Sequence, residues 1–102
     1  TVCRKDVLED QADAVDTFLK EHEASAAFAN ANVEETAQLV ADAGIIEKAP
    51  IAAKAIPYCS ITYIDGTDMQ TKVSGYLSVL FDQDPSSIGG QLPDEGFYYI
   101  HE

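Results

Sequence analysis

The sequence predicts a mostly α-helical chain with one or two short strands. Apolar residues recur at three- and four-residue intervals over most of its length, the period of a helix with one buried face. Only residues 58–64, Tyr-Cys-Ser-Ile-Thr-Tyr-Ile, switch to a period near two with β-branched and aromatic side chains, so they predict extended backbone. The opening Thr1-Val2-Cys3-Arg4 reads as a second strand entered partway along its length. At 102 residues this is one domain or part of one, large enough to bury a core without staples.

Residues 6–32 carry Leu8, Val15, Phe18, Leu19 and Ala26 on one face, with Ala12 and His22 completing it, and predict one amphipathic helix. Asn32 stands three positions before Glu35, a capping-box arrangement that predicts a second helix over residues 33–43. Gly44 is placed to end that helix, because glycine tolerates the left-handed conformation a helix C-terminus often needs. Pro50 suits the first turn of a short third helix and Pro57 closes it, since proline supplies no interior N–H. After the Asp65-Gly66 turn, Thr67 and Gln70 form a second potential capping box. Met69, Val73, Tyr76, Leu77, Leu80 and Phe81 then make a continuous helical stripe, the strongest periodic signal in the chain. Beyond Asp84-Pro85 the chain reads as loop, with Gly89-Gly90 as a hinge before the aromatic run Phe97-Tyr98-Tyr99. Two short extended pieces do not make a stable sheet by themselves, so any sheet partners are expected elsewhere.

Charge narrows the partners. Eighteen acidic against 6 basic residues give a net charge of −12, which repels the phosphates of nucleic acids and anionic membrane surfaces. No nucleic-acid partner is expected. No run of apolar residues is long enough for a membrane span, and no basic stretch followed by an apolar one opens the chain as an export signal would.

Candidate chemistry is sparse. Cys3 and Cys59 are too far apart in sequence for a metal-ligand pair or a redox motif, and their expected place is a small buried position in the core, with a disulfide between them as the alternative. His22 and His101 have no Cys, Ser or acidic neighbour at the spacing of a triad or a metal site, and a solvated or partly packed ring is expected for each. The pairs Glu9-Asp10 and Glu34-Glu35 lie near predicted helix starts, where negative charge is favoured without any catalytic role. Asp65-Gly66-Thr67-Asp68 lacks the alternating oxygen ligands and the closing glutamate of a calcium loop. Gly89-Gly90 lacks the Lys-Ser/Thr of a phosphate loop. No enzyme, no metal and no cofactor is expected.

Several stretches together resemble a known family. Val2-Cys3-Arg4-Lys5-Asp6-Val7-Leu8-Glu9, with Ala14-Val15 and Phe18-Leu19, resembles the strand-to-helix passage near the C-terminal third of ABC-importer solute-binding proteins of the nitrate, sulfonate, taurine and thiamine-precursor type. Ala55-Ile56-Pro57-Tyr58-Cys59-Ser60-Ile61, Tyr63-Ile64-Asp65-Gly66, Ser74-Gly75-Tyr76-Leu77, and Ser87-Ile88-Gly89-Gly90 through Leu92-Pro93-Asp94 to the aromatic run resemble the end of a bacterial branch of them. The sequence departs from that family at Ala12, where the family commonly has a proline, which is why one continuous first helix is expected.

The resemblance implies the C-terminal portion of an α/β type II periplasmic-binding-protein fold, with all 102 residues a single segment of a two-lobed protein. It implies a longer precursor with an export signal, an extracytoplasmic location in the periplasm or anchored at the cell surface, and an ABC permease as partner for a small anionic or heteroaromatic ligand. The aromatic tail would then lie across the outside of the body. Tyr58 and Ser60 are the candidate ligand-binding residues, as hydrogen-bonding groups that follow a proline. The alternative for Tyr58 is that its ring packs on a neighbouring helix. A second function stands beside the first: a stand-alone acidic helical interaction or oligomerisation domain without ligand binding, forming a homo-oligomer as an isolated segment through its strand edge and aromatic tail.

Overall fold

In a computed structural model, residues 1–100 are described, and they form helices, short 3-10 turns and connecting coil. The helices are α1 (Lys5–Asp10), α2 (Ala12–Ala31), α3 (Val33–Asp42), α4 (Ala49–Ala55) and α5 (Gly66–Gln83). The 3-10 turns are Ile56–Tyr58, Pro85–Ile88 and Glu95–Phe97. Among the described residues there is no strand, so the mostly helical expectation holds and the α/β type II arrangement is not shown. Residues 1–4 are coil, and Tyr58 closes a 3-10 turn before an irregular stretch that runs to Asp65. Pattern alone misread residues 58–64, because β-branched residues become a strand only when a neighbouring strand takes up their backbone hydrogen bonds. Here one partner is a side chain: Asn30 Nδ2 donates to the Ile61 carbonyl at 2.9 Å and to the Ala26 carbonyl at 3.1 Å.

The first predicted helix is divided at Gln11, whose φ of −135° and ψ of 41° lie outside the helical region. The break leaves Glu9 and Asp10 at the end of α1, where the helix dipole disfavours anions, while the restart at Ala12 puts Asp13 in a favourable first turn. The predicted Asn32 cap takes another form. Its side chain makes no N-cap bond to α3; Nδ2 donates back to the Phe28 carbonyl at 3.2 Å. The Asn32 carbonyl meanwhile accepts from the Thr36 N–H at 3.0 Å and from Thr36 Oγ1 at 2.8 Å, so one residue closes α2 and opens α3.

The stop at Gly44 is as expected. With φ +74°, Gly44 donates to the Ala41 carbonyl at 3.0 Å, while Ile45 donates to the Val40 carbonyl at 3.1 Å, the paired bonds of a Schellman ending. Pro50 lies in the first turn of α4, and Pro57 falls in the turn that follows it. Helix α5 starts at Gly66, ahead of the expected Thr67 cap, with Asp65 as N-cap residue making no side-chain bond.

Two compact units result. The first, Thr1–Tyr63, holds the buried side chains Ala37, Ala52 and Ile56, packed round by Val33, Val40, Ile46, Ala53 and Ile61. Alanine at 37 and 52 lets α3 and α4 approach closely, at the cost of a core with little apolar volume. The second unit begins at Ile64 and is built on α5 and the chain after it. Met69, Val73, Leu77, Leu80 and Phe81 are half-buried as the stripe predicts, but Tyr76 is 65% exposed and belongs to the opposite face.

Candidate functional site

The two residues singled out by sequence lie within two positions of each other and converge on nothing. Tyr58 is 88% exposed, so its ring neither packs on a helix nor sits in a cleft. Ser60 is also exposed and takes φ +53°, a left-handed conformation that a residue with a Cβ adopts at a cost of about 1–2 kcal/mol. Cys59 between them is exposed, its Sγ donating to the Ala55 carbonyl at 3.3 Å, and Cys3 is a free, exposed thiol as well. The expectation of buried cysteines is therefore corrected, for the small core is filled by alanine and isoleucine.

His22 is partly packed. Its ring stacks on Phe18 with centroids 5.5 Å apart and meets the edge of Tyr63 at 5.6 Å, while Nε2 lies 3.4 Å from Thr1 Oγ1. These contacts tie the start of the chain and the 58–64 stretch to the middle of α2. His101 lies outside the described residues. Among the described residues, no three His, Cys, Asp or Glu side chains converge as metal ligands, and no helix is long and apolar enough to cross a membrane.

Each unit carries a shallow depression. In the first unit Glu34 and Gln38 of α3 face Pro50 and Lys54 of α4 across an open trough. In the second, Gln70, Ser74 and Ser78 of α5 face Leu92, Pro93 and Tyr98. Both serines turn their hydroxyls back on their own helix, Ser74 to the Thr71 carbonyl at 3.1 Å and Ser78 to the Ser74 carbonyl at 2.9 Å. These two hydroxyls are spent within the helix, and neither Tyr58 nor Ser60 lines either depression. The second depression also shows where the aromatic tail goes: Tyr98 returns along α5 and meets Phe97 edge to face at 5.1 Å. Gly89 and Gly90, at φ +83° and +88°, make the reversal that allows it.

A change in proton affinity is resolved at Asp84. The Ser86 hydroxyl at 2.7 Å and the Ser86 N–H at 3.0 Å donate to Oδ1 and hold this carboxyl below its ordinary range. It caps the Pro85–Ile88 turn, which is a structural role.

What the molecule presents instead is apolar surface. Ile45 at 73%, Leu39 at 60% and Ile51 at 56% exposure accompany Tyr58 in the first unit, and Tyr76, Val79 and Phe97 are more than half exposed in the second. Pattern reading missed most of them. Leu39 lies in the last turn of α3 and Ile45 beyond its end, where periodicity is a weak guide to which face is covered.

Comparison of the chain with protein-family models, curated proteins and solved structures gives no match. The resemblance to importer solute-binding proteins does not hold: the passage from Val2 to Leu8 is coil and helix where that family requires a strand, and no homologue supports it.

Proposed function

We propose that this chain is an acidic, helical protein–protein interaction module that associates with further copies of itself. The observation that carries the reading is the distribution of its apolar residues. The sheltered side chains are mainly alanines, while Tyr58, Ile45, Tyr76 and Leu39 are each at least 60% exposed. Fully covering a large aliphatic or aromatic side chain is worth about 1.5–3 kcal/mol, so such a surface gains by association. Tyr58, held out from the chain just after Pro57, has the character of an aromatic interface anchor. The net charge of −12 argues against nucleic acids and anionic membrane surfaces, and because a second copy carries the same charge, apolar contacts must outweigh that repulsion for copies to associate. The importer-receptor reading is set aside together with the resemblance on which it rested.

Sedimentation of the full chain from micromolar to millimolar concentration tests the proposal. The average mass is expected to rise with concentration, and replacing Tyr58 and Phe97 by serine is expected to lower association while helix content stays the same. A single monomeric species across the whole range contradicts it.

A further inference from the structure

The outward face of α5 carries a pattern that its own chain leaves unused. Lys72, Gly75, Val79 and Asp82 follow one another at intervals of three, four and three, the spacing of a helix-pairing seam, with Tyr76 flanking it. All five are exposed: the Lys72 side chain at 58%, Tyr76 at 65%, Val79 at 54%, and Gly75 and Asp82 likewise on the surface. Gly75 is the odd member. Glycine is the poorest helix former after proline, yet a Cβ added here would meet nothing within 4 Å, so packing inside the chain does not call for it. A glycine beside exposed apolar side chains suits the close approach of another helix.

We propose that this seam pairs with the same seam of a second copy, α5 against α5, antiparallel about a two-fold axis level with Leu77. This rests on the self-association proposed above and names one surface through which it occurs, the one on the second unit, with its register, beside the outward residues of the first unit. In an antiparallel pair the two kinds of seam position face each other. Lys72 therefore stands opposite Asp82 of the second copy, and Val79 stands over Gly75 of the second copy, where a missing side chain makes room for it. Symmetry repeats each layer, giving a charge pair at both ends and two Val-over-Gly layers between them. Tyr76 closes over the flank of the seam.

Charge selects the direction. A parallel pair would set Lys72 on Lys72 and Asp82 on Asp82, and would leave the two glycines facing across a gap. Lys72 already pairs with Asp68 in its own helix, and in the antiparallel arrangement it bridges two carboxylates, one from each copy. It is also the only Lys or Arg after Lys54, so the single cation of this region lies on the seam. The returning tail leaves the seam open, since it runs along the Gln70, Ser74 and Ser78 side of α5.

Charge reversal in the full chain tests the register, with association read by sedimentation and folding by circular dichroism. Lys72→Asp and Asp82→Lys, made singly, are each expected to weaken association about tenfold, since each sets like charges opposite one another. The double variant Lys72→Asp/Asp82→Lys restores complementarity and is expected to return association to near the original level. Gly75→Leu fills the space opposite Val79 and is expected to weaken association while raising helix content. Self-association that is indifferent to the single reversals, or a double variant no better than the singles, overturns this surface and leaves the proposed self-association standing. A chain that is monomeric throughout overturns both.

Discussion

The two units bury their apolar residues in different ways. The first, Thr1–Tyr63, packs short helices through alanine: Ala52 is fully covered, Ala37 nearly so, and Ile56 is the largest side chain to join them. The second, from Ile64 onward, rests on one 18-residue helix, and its Met69, Val73, Leu77, Leu80 and Phe81 are only half covered. Close backbone approach and large apolar side chains are competing ways to fill a helical interior. The first unit takes the former and sends Leu39, Ile45, Ile51 and Tyr58 outward; the second keeps its large side chains on one face without enough chain to enclose them. Both routes end in apolar surface on a strongly acidic protein.

That contrast predicts unequal responses to substitution. The largest effect is expected at Ala52→Leu, where added volume must part α3 from α4; we expect a loss of about 3 kcal/mol, read by urea denaturation. Leu77→Ala is expected to cost under about 2 kcal/mol, below the range for a fully buried leucine, and equal losses at the two sites would break the comparison. Next comes Gly44→Ala, which forces a Cβ into the left-handed ending of α3 at φ +74° and is expected to cost about 1–2 kcal/mol. Ser60→Gly works in the other direction, relieving a residue at φ +53° and raising stability by about 0.5–1 kcal/mol.

The smallest effect concerns pH. Hydrogen bonds from the Ser86 hydroxyl and N–H hold the Asp84 carboxyl below its ordinary range, so the turn they build is fully supported above the unfolded pKa. That support is lost as pH falls through the folded value. Ser86→Ala is expected to raise the Asp84 titration toward the ordinary range, followed by carboxyl NMR; an unchanged titration would show that the side-chain bond has no part in it.

Much of the fold was legible where local chemistry decides it. Gly44 ends α3 because only a residue without Cβ takes that conformation freely, and the Met69 to Phe81 period marks the covered face of α5. Legibility failed where an outcome depends on a distant partner. Residues 58–64 have strand composition, but the Asn30 side chain holds Ile61 and no neighbouring strand is present among the described residues. Asn32 has the right spacing for a capping box, yet its amide turns back to Phe28. Tyr58 and Ser60 carry suitable hydrogen-bonding groups, but both are exposed and neither lines a depression. The exposed face of α5 hides in plain periodicity, because Tyr76 fits either edge of the apolar stripe and only burial tells which.

The central claim is that the large outward side chains are open in a single copy and become covered on association. Hydroxyl-radical footprinting read by mass spectrometry, at concentrations below and above the association midpoint, measures this residue by residue. The account predicts that Tyr58, Tyr76 and Val79 react readily in dilute solution and are protected in concentrated solution, with Met69 and Leu77 changing little. Reactivity at Tyr58, Tyr76 and Val79 that stays the same at every concentration would contradict it.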